Sequence, residues 1–198
     1  RDAVRSRGLG DVYKRQSEAA ATLFNLAYSN AATRDAITEA GAVPPLVALL
    51  SGRSESEVAE EAAGALHNLA CNNEATRAAI TEAGAIPPLV ALLSGGPESE
   101  AAGKAAGALG ILACDDEGEA AIIEAGAVPP LVALLSGGPE SEAVRQAAGA
   151  LRNLAWDDEG EAAITEAGAI PPLVALLSGG PESEAAGEAA AALRNLAY

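Results

Sequence analysis

The phrase "EAGAIPPLVALL", Glu82 to Leu93, constrains this chain more than any other feature, because it occurs four times. Its copies begin at Glu39, Glu82, Glu124 and Glu166 and differ only in Val or Ile before the paired prolines. A second landmark, the Leu of "LxNLA", falls at Leu23, Leu66, Leu109, Leu151 and Leu193, spaced 43, 43, 42 and 42 residues. Self-similarity near 42 residues implies a solenoid, since one such unit cannot bury its apolar faces alone and stacked units can. The residue lost from the later units lies between the landmarks, where "CNNEATRAAITE" becomes "WDDEGEAAITE". A deletion confined there marks a loop or a helix start.

Each unit reads as three helices. Acidic residues such as Asp115, Asp116 and Glu117 open a short first helix, which a left-handed glycine (Gly41, Gly84, Gly126 or Gly168) stops. Pro-Pro opens the second helix, where a missing N–H has no consequence, and Ser-Gly-Gly ends it. "PESE" then begins a longer third helix that runs to "LxNLA", its Glu-x-Glu pairs (55/57, 98/100, 140/142, 182/184) suiting a helix N-terminus. Val58, Ala62, Leu66 and Leu69 share one side of that helix and face a core, while Glu60, Gly64 and Asn68 lie on another. Gly64, Gly107 and Gly149 each cost about 1 kcal/mol against alanine, which fits either a close neighbouring backbone or a smooth surface. With 3% aromatic residues and no Met, the interior is built from Leu, Ile, Val and Ala. The fold class is all-α.

Residues 1–16, "RDAVRSRGLGDVYKRQ", share neither the composition nor the period of the rest. Their last six letters look like one reading frame of the transposon end used in preparing sequencing libraries. We read 1–16 as a non-native or disordered leader and the chain as a fragment of a longer one. The leader carries +3 and the other 182 residues carry −19 of the net −16. Such an acidic surface repels nucleic acid and anionic membranes and attracts basic partners. No apolar run approaches the ~20 residues of a membrane span. Two cysteines, Cys71 and Cys114, make no disulfide framework, and the expectation is an intracellular protein.

A 42-residue unit with "GA(V/I)PPLVALL" in its middle and "ALxNLA" at its end resembles the armadillo repeat. The resemblance covers a half unit, 17–28, and four full units at about 29–71, 72–114, 115–156 and 157–198. It implies a right-handed α-solenoid whose third helices line a groove that binds extended segments of other proteins, with no cofactor. In that family the Asn of "LxNLA" holds the bound backbone, which places Asn25, Asn68, Asn153 and Asn195 as rungs. A carboxamide suits that task because it offers both donors and an acceptor. The third rung is Ile111, which cannot. Four residues before each rung, where nuclear-import members often carry Trp, stand Ala21, Gly64, Gly107, Gly149 and Ala191.

Side chains beside the rungs (His67, Arg152, Arg194) and one to two turns earlier (Glu60, Arg145) are the candidates for specificity. Their order suggests a partner segment that is basic near residues 60–68 and acidic near 145–194. Single His67 has no nucleophile or metal-ligand pattern around it, and neither catalysis nor a metal site is expected. Cys71, Cys114, Trp156, Tyr28 and Tyr198 share the slot after "NLA" and read as packing residues. Uncapped ends suggest self-association. The function expected is a protein-interaction scaffold; the alternative is the substrate-recruiting region of a larger ubiquitin ligase or another multidomain protein.

Overall fold

The structure, a computed structural model, describes residues 2–51, 56–71 and 73–197. Glu55 and Tyr198, invoked above, lie outside them. Helix α1 spans Asp2–Ser29. Three helices per unit follow: α2 (Ala31–Glu39), α3 (Val43–Leu50) and α4 (Glu57–Ala70); α5 (Glu74–Glu82), α6 (Ile86–Leu92) and α7 (Glu100–Leu112); α8 (Asp116–Glu124), α9 (Val128–Leu134) and α10 (Glu142–Leu154); α11 (Asp158–Glu166), α12 (Ile170–Leu176) and α13 (Glu184–Asn195). The segment read as a leader is helical from Asp2 and runs without a break into the half unit, so α1 is one element rather than a tail and a helix.

Local chemistry sets these boundaries. Asn30, Asn73 and Asp157 cap α2, α5 and α11, each side chain accepting the backbone N–H three residues on at 2.8–2.9 Å. Gly41, Gly84, Gly126 and Gly168 end the first helices with φ of +71° to +77°, a conformation that penalises any Cβ. The chain turns by 84° at Gly84 before Ile86-Pro87-Pro88 opens α6. The serine inside each Glu-Ser-Glu triplet, not its acids, is the N-cap of the third helix: Ser56, Ser99 and Ser183 accept the N–H of Ala59, Ala102 and Ala186. Ser141 instead donates to the Pro97 carbonyl of the preceding unit at 2.6 Å.

Third helices α1, α4, α7, α10 and α13 lie side by side, each packed on the next, with the second helices against them. Val58, Ala62, Leu66 and Leu69 are buried as their spacing required, and a single core runs through every unit. Close approach of backbones does occur, but at other glycines than those singled out above. A Cβ on Gly103 would sit 3.3 Å from Ala143 Cα, and one on Gly110 would sit 3.1 Å from Ala150 Cα. The α7–α10 contact is therefore tight along its length.

In the last unit Ile170, Val174 and Leu177 are 41–51 % exposed. The inner counterparts of Ile170 and Leu177, namely Ile86, Leu93, Val128 and Leu135, are only 2–3 % exposed, and those of Val174 are half-buried. Among the described residues no single helix is long and apolar enough to cross a membrane.

First helices are joined across units by polar contacts. Arg77, four residues after the α5 cap, meets Asp115 at the start of α8 through two bonds, Nε–Oδ2 at 2.5 Å and Nη2–Oδ1 at 2.7 Å. Asp115 spends its carboxylate on this fork and makes no cap bond to its own helix.

A candidate peptide-binding cleft

The rung residues stand in register on the third-helix face, but their amides have an internal task. Asn68 Nδ2 donates to the Phe24 carbonyl (3.2 Å), Asn153 Nδ2 to the Gly110 carbonyl (2.7 Å), and Asn195 Nδ2 to the Arg152 carbonyl (3.0 Å). Each acceptor is the residue before the preceding rung, so every amide staples its helix to the one behind. Such a bond stabilises by about 1 kcal/mol and fixes the stagger of the ladder. Asn25, on α1, is exposed. Ile111 keeps its place in the row by packing on the core.

Two of the glycines four residues before the rungs, Gly64 and Gly107, are roofed by side chains. Phe24 from one side and Lys104 from the other lie over Gly64, within 2.9–3.1 Å of where a Cβ would stand. His67 and Gln146 cover Gly107 in the same way, at 2.6–2.9 Å. At these two glycines the chain lays its own side chains flat across the surface. Lys104 also sits 5.0 Å from the Phe24 ring centre, close enough for a cation–π contact. His67 Nδ1 is buried without a partner. Burial pulls its pKa below the ordinary range against the opposing pull of the Gly107 backbone, so the imidazole is neutral at pH 7.

The charges that suggested a basic-to-acidic polarity are largely paired within the ladder. Glu60 binds Lys104 Nζ at 2.7 Å. Arg145 is held by Glu142 of its own helix and by Glu184 of α13 at 3.2 Å. Arg152 reaches Glu188 at 2.7 Å and also donates to Asn153 Oδ1. Burial alone would raise Glu142, but the bonds from Arg145 and Gln146 hold it below the ordinary carboxylate range. Of the sequence candidates, exposed Arg194 is left facing solvent.

An opening of about 500 Å³ remains at the C-terminal ends of α10 and α13. Asn153, Asn195, Arg152, Arg194 and Trp156 line it, together with Asp116 and Glu119 of α8. Trp156 is 81 % exposed and Tyr28 77 %, which corrects their reading as packing residues. In that slot Tyr28, Cys114 and Trp156 are exposed and Cys71 is half-buried, and its tolerance of Tyr, Cys and Trp was the available signal. Cys71 and Cys114 are free thiols.

Glu119 is the residue that sequence reasoning missed. It is 6 % exposed, and its Oε1 is buried with no hydrogen-bond partner. It stands in the register of Arg77, four residues after its helix cap, but faces the Asp157 carboxylate rather than a cation. Burial first, then the facing Asp157 carboxylate, then Asp116 and Glu159, push its pKa up to about 7.

Comparison with known proteins completes the picture. The profile of the Armadillo/beta-catenin-like repeat matches residues 30–71, 72–114, 115–156 and 157–198. An engineered protein of known crystal structure is 42% identical with a TM-score of 0.85, over 93% of this chain and 74% of its own. A designed armadillo repeat protein is 36% identical with a TM-score of 0.82, over 91% of this chain and 75% of its own. Another, solved in complex with the peptide (KR)4, is 38% identical with a TM-score of 0.80, over 91% and 74%. A search of curated protein sequences gave no match. Four matched repeats over most of the chain, together with the three-helix units and the stapled ladder, make this protein a member of the armadillo repeat family.

Proposed function

We propose that the chain is a protein-interaction scaffold that holds an extended segment of a partner across its third-helix face, anchored in the cleft beside Trp156. The observation that carries this reading is the cleft itself. It is the place where two rungs, an exposed indole and unroofed surface meet, whereas Gly64 and Gly107 are covered by the chain's own side chains. Neighbouring third helices about 8–10 Å apart match two to three residues of an extended chain per step. Asn153 and Asn195 are held by their staples, so anchoring and sequence preference fall to Trp156, Arg194 and the acids of α8. The designed relative that binds (KR)4 supports a segment rich in lysine or arginine.

The test is binding of a fluorescein-labelled lysine–arginine octapeptide, followed by anisotropy at low salt. Trp156→Ala removes a side chain outside the core, so it should leave the melting temperature unchanged and weaken binding about tenfold or more. Equal affinity of the variant and the parent chain would place the peptide elsewhere.

A further inference from the structure

We infer that Glu119, which lines the cleft with Asp116 and has the Asp157 carboxylate beside it, takes one cationic side chain of the bound segment in exchange for a proton. The inference rests on the peptide-binding reading above and names the group that this one position selects.

Geometry carries the argument. At the preceding junction the same register places Arg77 against Asp115, and the carboxylate is satisfied by a guanidinium fork. One unit later the arginine is replaced by Glu119 while the acidic partner is kept as Asp157, so the contact lacks its cation. Glu119 is not free to swing into water. Its Oε1 lies 2.7 Å from where a Cβ of Gly160 would stand, pressed onto the first turn of α11. A buried carboxylate oxygen without a partner costs free energy unless a proton or a cation reaches it.

The groups facing Glu119 are Asp157 and Glu159 from the start of α11 and Asp116 from its own helix, all acidic. The two arginines that line the cleft do not satisfy it. Arg152 is turned to Glu188 and Asn153, and Arg194 is exposed to solvent. An exposed arginine needs no partner, whereas a buried acid does, so the demand of the cleft is for positive charge. Among the described residues no three His, Cys, Asp or Glu side chains converge to hold a metal ion. A lysine or arginine that enters over Trp156 brings its own donors and can lie along the indole face.

With the site unoccupied, Glu119 holds its proton up to about pH 7. An incoming ammonium or guanidinium replaces it, and the proton leaves to solvent. Binding of the lysine–arginine octapeptide to the full chain should therefore tighten about tenfold between pH 6 and pH 8, as Glu119 loses its proton around pH 7. Glu119→Gln should remove most of that rise and bind more weakly at pH 8. Asp157→Asn, which keeps a helix cap of the kind Asn73 provides, should move the rise to lower pH. Parallel pH profiles for the parent chain and Glu119→Gln would overturn the inference while leaving the groove reading intact. Absence of binding at every pH would overturn both. A carboxyl ¹³C titration of Glu119 with a midpoint near 4.5 would overturn the inference independently of any ligand.

Discussion

Replacing Gly160 with alanine is expected to destabilise the chain by about 3 kcal/mol. A Cβ at Gly160 would collide with the Leu154 carbonyl oxygen of α10 and crowd Glu119 Oε1. A backbone carbonyl at a helix end cannot rotate away as a side chain could, so one helix must shift. Gly118 meets the Leu112 carbonyl in the same way, and Gly118→Ala should behave alike. Both glycines belong to the 42-residue units. In the longer units the equivalent positions are Thr33 and Thr76, and Thr76 is buried without conflict. Shortening the junction by one residue draws the first helix onto the carbonyl end of the preceding third helix, and only glycine then fits. Urea unfolding measures the loss. Inserting one residue between Trp156 and Asp157 should let Thr replace Gly160 at little cost. A Gly160→Ala variant within 1 kcal/mol of the parent would show that the junction is slack.

Stability should also fall as the pH rises. Glu119 has its folded pKa raised from 4.5 to about 7, so between those values the folded chain holds a proton that the unfolded chain has released. That contribution is complete at low pH and is lost as the pH passes through about 7, the reverse of a salt-bridged acid. Between pH 5.5 and pH 8 the loss from this residue is about 2 kcal/mol, or roughly 4–8 °C in melting temperature for a chain of this size. The general repulsion within a chain of net charge −16 acts in the same direction. The parent chain must therefore be compared with Glu119→Gln, whose melting temperature should fall less over the same range. Equal slopes would mean that Glu119 titrates as an ordinary surface acid.

The solenoid was legible because its determinants are local: the period, the glycine stops and the Pro-Pro starts all act within a few residues. Candidate site residues were legible only in part, because their contacts join neighbouring units. Asn68 meets Phe24 and Glu60 meets Lys104 across 44 residues, and Arg152 meets Glu188 across 36. Spacing within one unit shows which face a charge occupies but not what lies opposite, so Glu60, Arg145 and Arg152 looked available when each has a partner. Reading one unit against the next would have exposed Glu119, since it replaces Arg77 while its acidic partner persists. Trp156 was misread because all residues in the slot after "NLA" were taken to pack alike at a helix end, whereas Trp156 is exposed. Its position just past the end of the third helix turns it outward.

Trp156 is the only tryptophan in the chain, so its own emission reports on the cleft without a label. Titration with the lysine–arginine octapeptide at pH 8 should shift that emission saturably, with a midpoint equal to the dissociation constant from anisotropy. An octapeptide that binds by anisotropy but leaves the tryptophan spectrum unchanged would mean that the cleft between α10 and α13 is not where a partner sits.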